Sequence, residues 1–182
     1  MEDIRLTLKE IGARNGLEIE LDENGACTLE LDDGRVVLLQ ERADVNELDF
    51  VSPLGPVPEE TRPDVFTELL SANFYWRETF GATLSWNADL EEVVLIYPLP
   101  LADATSGSVE TVFMRFLDLQ AAWAERLAKA IAAAQEEEGE RGMGNAGRGT
   151  GECRERRSDH KSLVTFSGFA CKQGVGTIRE RS

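Results

Sequence analysis

The chain has 182 residues, with 34 Asp and Glu against 19 Lys and Arg, one His, three Cys and 42% hydrophobic residues. A formal charge of −15 disfavours nucleic-acid phosphates and anionic membrane surfaces as partners, because both call for a surplus of Lys and Arg. An odd Cys count without a close pair argues against a disulfide framework, and a single His cannot supply a Cys/His metal cluster. No run approaches the ~18 apolar residues of a membrane-spanning helix, and Met1-Glu2-Asp3 lacks the basic start of a signal peptide, so a cytoplasmic location is expected.

The first element is a short amphipathic helix. Ile4, Leu8 and Ile11 recur at helical spacing, Glu2 and Asp3 suit its positive end, and Gly12 and Gly16 are expected to stop it. Leu17-Glu18-Ile19-Glu20-Leu21 alternates as a strand would. Asn24-Gly25 then makes a turn, Cys27-Thr28-Leu29-Glu30-Leu31 alternates again, and Asp33-Gly34 turns the chain once more. Antiparallel hairpins follow from this. Val36-Val37-Leu38-Leu39 is apolar at four consecutive positions, so this strand is expected to be covered on both faces. Residues 48–54 read as a weaker strand, with Pro53 at a sheet edge or at the strand's end.

Pro56 and Pro58 close this part, and Pro63 sits where a first helical turn tolerates it. Val65, Phe66, Leu69, Leu70 and Ala72 form a broad apolar helix face that ends at Asn73 and Phe74. Residues 82–86 and 93–97 read as a strand pair, with Pro98 and Pro100 terminating it. The last helix carries the stripe Val109, Val112, Phe113, Phe116, Gln120, Trp123, Leu127 and Ile131. Glu136-Glu137-Glu138 lies at its negative end, where acids destabilise, so fraying is expected there.

The composition changes after Glu138. Residues 1–138 hold 29 acids and 10 bases, a net of −19, whereas residues 139–182 hold 5 acids and 9 bases, a net of +4. The second part also carries 9 of the 16 Gly. It is expected to be a disordered Gly/Arg-rich tail, because it offers too little apolar surface to offset chain entropy. About 138 residues remain for one domain, enough to bury roughly two-thirds of the unfolded surface.

Chemical motifs are sparse. Gly142-x-Gly144-x-x-Gly147 matches the dinucleotide fingerprint by letter, but Glu136-Glu137-Glu138-Gly139-Glu140 stands before it where a buried strand would be needed. Cys27 lies in a body without His and reads as a core residue. The acidic turns at Asp22, Glu23, Asp32 and Asp33 lack calcium-loop spacing. No nucleophile, metal set or cofactor loop emerges, so neither an enzyme nor a cofactor is expected. Among the Trp residues, Trp123 reads as core, and Trp86 is open between core and interface.

Several segments resemble the class I type III secretion chaperones, the Tir-chaperone family. Leu69-Leu70-Ser71-Ala72-Asn73 is similar to the Leu-Leu-x-x-Asn that ends the family's middle helix. Gly81-Ala82-Thr83-Leu84-Ser85-Trp86 resembles the strand after it, and Pro98-Leu99-Pro100-Leu101 with Ala102-Asp103 the end of the last strand. Asp22-Glu23-Asn24-Gly25-Ala26-Cys27 resembles its early turn and strand. The resemblance covers roughly residues 1–135; residues 139–182 have no counterpart in the pattern.

The resemblance implies an α+β fold in the order α-β-β-β-α-β-β-α, a twisted antiparallel sheet flanked by an N-terminal helix, a middle dimerisation helix and a long C-terminal helix. It implies a homodimeric chaperone of the bacterial cytoplasm that holds the amino-terminal segment of a secreted effector in extended form, without catalysis. The client-binding residues would then be Ile4, Leu8, Leu29, Leu31, Val36 and Leu38, and the dimer interface Val65, Phe66, Leu69, Leu70, Asn73, Leu84 and Trp86. The stripe at Ile4 and Leu8 is open between packing on the sheet and a client groove. Strand alternation separates Val36 and Leu38 from Val37 and Leu39 without saying which pair meets the core. The alternative function is a regulatory or structural dimer that binds a folded protein.

Overall fold

Helix α1 (Ile4–Asn15) begins where Asp3 accepts a hydrogen bond from the Arg5 N–H at 3.0 Å, and ends at Gly16, whose φ of 71° is left-handed. These caps leave Ile4, Leu8 and Ile11 on one buried face. The computed structural model describes the backbone of residues 3–143 and the side chains of residues 3–137.

Gly12 does not stop the helix. It lies within α1, and a Cβ there would stand 2.6 Å from the Leu17 carbonyl oxygen and 3.0 Å from the Ile19 nitrogen. Its lack of a side chain lets the returning chain lie against the helix. That returning segment, residues 17–21, is not a strand. Ile19 and Leu21 are buried, so the alternation is real, but the segment faces a helix rather than a pairing partner. The Arg5 guanidinium donates to the carbonyls of Leu21 and Asp22 at 3.2 and 3.1 Å, holding the segment beside α1.

Five strands follow the order β1-β2-β3-β5-β4, every pair antiparallel. They are β1 (Ala26–Glu30), β2 (Val36–Arg42), β3 (Glu47–Pro56), β4 (Thr83–Asn87) and β5 (Glu92–Pro100). Helix α2 (Arg62–Asn73) lies between β3 and β4, and α3 (Ser106–Met143) closes the described chain. This is the expected α-β-β-β-α-β-β-α order.

Residues 48–54 belong to the central strand, not a weak or edge one. β3 is paired on both sides, and Pro53 comes after Leu38↔Val51, the last pair that β3 makes with β2. The missing N–H therefore falls where β3 no longer has a β2 partner, three residues before the strand ends at Pro56. β5 ends at Pro100, as expected, but Pro98 lies inside it rather than terminating it. Their part of the strand lies past the last β4 pair, Thr83↔Ile96, so one edge has no ladder to break.

All three helices pack on one side of the sheet. Val37, Leu39, Leu48, Phe50 and Leu95 meet Leu8 of α1, Val65 and Leu69 of α2, and Phe116, Trp123 and Leu127 of α3 in one core. The Phe50 ring lies 5.9 Å from that of Phe116 and 6.4 Å from that of Phe113. Each fully buried side chain of this size contributes about 1.5–3 kcal/mol. The α3 stripe is as expected, with Val109, Phe116, Gln120, Trp123 and Leu127 buried.

Helix α3 runs on through Met143 rather than fraying at Glu136. The preceding Ala132-Ala133-Ala134 and the Glu residues themselves are strong helix formers, which outweighs the unfavourable charge at the end. The expected tail beyond it, including Gly144 and Gly147 of the fingerprint match, lies outside the described residues.

Candidate functional site

The face of the sheet turned away from the helices is built by the ladder register. Thr28, Leu38, Val51, Ile96 and Thr83 form one row across all five strands, and Val36 lies two residues from Leu38. Val36, Leu38, Val51 and Ile96 are all half-buried, and none joins the core. The opposite parity goes inward: Val37 is 0% and Leu39 2% exposed. The four-residue apolar run thus has one face in the core and one on this surface. That settles which pair of residues points which way.

A buried polar relay fixes the end of β2. Gln120 of α3 donates through Nε2 to the Ser52 hydroxyl, and Ser52 Oγ donates to the Val36 carbonyl at 2.6 Å. Val36 is thereby held against β3 just past the last ladder pair. Gln120 sits on an apolar stripe in the sequence, and its Nε2 finds this partner on β3, while its Oε1 is buried without a donor among the described residues.

The other expected client-binding residues lie elsewhere. Ile4 and Leu8 are core residues, 5% and 0% exposed. Leu29 pairs with Val37, so it is half-buried on the helix side of the sheet, and Leu31 is buried beyond the end of β1. Of the six, Val36 and Leu38 share the outward face.

The residues expected at a dimer interface divide similarly. Val65, Leu69 and Leu84 are buried inside the protomer. Phe66 packs on Trp86 with ring centroids 5.0 Å apart, and the Arg62 guanidinium lies 4.9 Å from the centroid of that indole ring. Trp86 is half-buried by its own chain. Asn73 closes the outer edge of β4: its Nδ2 donates to the Leu84 carbonyl at 2.9 Å, and its Oδ1 accepts from the Leu84 N–H at 3.0 Å. Leu70 is 71% exposed.

Leu70 has company that periodicity did not reveal. Phe74, Tyr75, Trp76 and Phe80 are all exposed, Phe80 at 80%. Tyr75, Trp76 and Phe80 also have φ near +50°, a left-handed conformation costly for aromatic residues. Beside Phe80 lies a groove of about 540 Å³, lined by Tyr97 of β5 and by Val112, Phe116 and Leu119 of α3. The run Phe74-Tyr75-Trp76 was the available signal, and it reads in sequence only as a helix stop.

Among the described residues, no group of three or more His, Cys, Asp or Glu is placed to hold a metal ion. No helix among them is long and apolar enough to cross a membrane. Cys27 is buried in the core.

Comparison with solved structures returns the same fold. A chain of the ExsC–ExsE complex superposes with a TM-score of 0.61 at 24% identity, covering 68% of this chain and 92% of that one. A chain of the HopA1–SchA chaperone–effector complex gives 0.56 at 13% identity, covering 66% and 91%. A chain of the ExoU–SpcU complex from the type III secretion system of Pseudomonas aeruginosa gives 0.52 at 18% identity, covering 71% and 98%. No curated protein sequence matches the chain at a comparable level of significance. The sequence profile of the Tir chaperone protein (CesT) family matches residues 7–139, so the chain belongs to this family, the type III secretion chaperones that its motifs resemble.

Proposed function

We propose that the protein is a homodimeric chaperone of the bacterial cytoplasm that binds the amino-terminal segment of a secreted effector in extended form and keeps it competent for secretion. The observation that carries this reading is the outward apolar row at Val36, Leu38, Val51 and Ile96, which no described helix covers. A contiguous apolar sheet face of this kind is a surface for protein contact. The solved complexes named above, each holding a chain of this fold together with a second protein, support the same assignment. The family to which the chain belongs acts by holding proteins, which leaves catalysis without a role.

Dimerisation is supported by Leu70, Phe74, Tyr75, Trp76 and Phe80, large apolar groups exposed together around the end of α2. A symmetric partner is the economical cover for such a patch. Light scattering should give twice the 20.1 kDa chain mass. The direct test of function is co-purification with amino-terminal fragments of the effectors secreted by the host bacterium. Wild type should retain a fragment and leave it open to protease, and Leu38→Asp should lose it while remaining folded.

A further inference from the structure

Gln40 and Asp49 face each other across the β2–β3 ladder, on the outward side of the sheet and one row from Leu38 and Val51. Asp49 is only 6% exposed, although it points away from the helices. Arg42 approaches one of its oxygens, with Nη1 3.4 Å from Oδ2. The other, Oδ1, is buried and has no hydrogen-bond donor among the described residues. On its far side Asp49 pairs with Pro98, which has no N–H to offer.

Gln40 repeats the pattern. Its Nε2 donates to the carbonyls of Asn24 and Glu41, both at 3.0 Å, and this fixes the amide with Oε1 as an acceptor. That Oε1 is also buried without a donor among the described residues. Buried acceptors lacking a donor are scarce in native proteins, and here two belong to directly paired residues. The charge around them is unbalanced as well. The carboxylates of Asp44 and Glu47 act on Asp49 together with the single guanidinium of Arg42, within a body whose first 138 residues carry 29 acids and 10 bases.

We propose that Gln40 and Asp49 form a polar notch in the client-binding face, and that it receives a Lys or Arg side chain of the bound segment. The inference rests on the reading that this face takes an extended client. An ammonium or guanidinium group brings several donors, and its charge offsets the local carboxylates. Residues two apart in an extended segment lie about 6.6–6.8 Å apart on one face, the same step that separates the Leu38–Val51 row from the Gln40–Asp49 row. A client running along the strands therefore presents an apolar residue to Leu38 and Val51, and a basic residue two positions away to the notch.

The test uses the full chain and immobilised twelve-residue peptides with alternating apolar positions, in which the residue two places from an apolar anchor is Lys, Gln or Glu. Wild type should bind the Lys peptides at least about tenfold more tightly than the Gln peptides at low salt, with a smaller gap at high salt. Asp49→Asn and Gln40→Met, each checked for fold by circular dichroism, should both shrink that advantage. Equal binding of Lys and Gln peptides, or a preference that survives in both variants, overturns the notch. If Leu38→Asp then still abolishes binding of every peptide, the client face stands without it. A wild-type chain that binds none of the peptides overturns the face and the notch together.

Discussion

Leu38 and Leu39 are neighbours of identical chemistry on opposite sides of one strand, and their truncation separates the face from the core. Leu39 is 2% exposed and part of the core, so Leu39→Ala removes three carbon atoms from a packed site and should cost about 2–5 kcal/mol. Unfolding a body of about 140 residues releases roughly 0.3 kcal/mol per kelvin near its midpoint, so a loss of about 3 kcal/mol lowers Tm by ~10 °C. Leu38 is half-buried and outside the core, so Leu38→Ala should cost under about 1 kcal/mol and shift Tm by no more than ~3 °C. The order reverses for the client. Leu38→Ala should weaken capture of an effector fragment, whereas Leu39→Ala should leave it intact at temperatures where the variant is folded. Thermal melts followed by circular dichroism, with fragment binding at 15 °C, read both quantities. Equal Tm losses for the two variants would refute the assignment of faces, and unaltered capture by Leu38→Ala would refute the role of the outward row.

Asn73→Ala should leave both edge groups of Leu84 without a partner, lowering stability by about 2 kcal/mol and speeding amide exchange at Leu84. Gly12→Ala should destabilise by about 1–3 kcal/mol in a denaturant titration despite the better helix propensity of Ala, because the added Cβ meets backbone atoms of Leu17 and Ile19. Burial pushes the Asp49 carboxyl above its ordinary value, with Arg42 pulling the other way less strongly. The folded protein then binds that proton more tightly than the unfolded chain, so this carboxylate costs stability as pH rises from about 3.9 through the folded value. Asp49→Asn should melt higher than wild type at pH 7, and the difference should vanish below about pH 3.5; a variant that melts lower at pH 7 would show that the Arg42 contact dominates.

Local patterns carried the fold and left its orientation open. The α3 stripe and the turns at Gly25 and Gly34 were legible because period and left-handed glycine are properties of a few adjacent residues. The faces of β2 were not, because they depend on which of Val36 and Val37 the distant ladders and helices turn inward. Residues 17–21 show alternation without pairing: the pattern reports that one side is buried, and Gly12 decides that the burial is against a helix. The Pro rules misjudged Pro98 within β5 and the rank of β3 because a strand can lose its neighbour part-way along its length. At the candidate site, Val36 and Leu38 could be named from the sequence but not assigned a face, while Gln40 and Asp49 look like ordinary polar positions until the strands align them. Asn73 reads as a helix stop, and its bonds to Leu84 span eleven positions. The exposed aromatics after α2 belong to the same class of omission, because periodicity has no meaning once the helix has ended.

The amide of Asn73 acts as a plug on one margin of the sheet. At the β4 end, both groups that Leu84 would offer to a sixth strand are already taken. At the opposite end, Asp22 occupies both groups of Ala26 through its backbone and side chain, while Thr28 and Glu30 lie farther along the same edge. Each margin is thus blocked at one position, Leu84 on β4 and Ala26 on β1. A strand docking on β4 would have to displace the Asn73 amide from Leu84, which disfavours joining two copies along that margin. For a member of a chaperone family, such a plug makes the β4 edge a poorer template for unintended strand pairing.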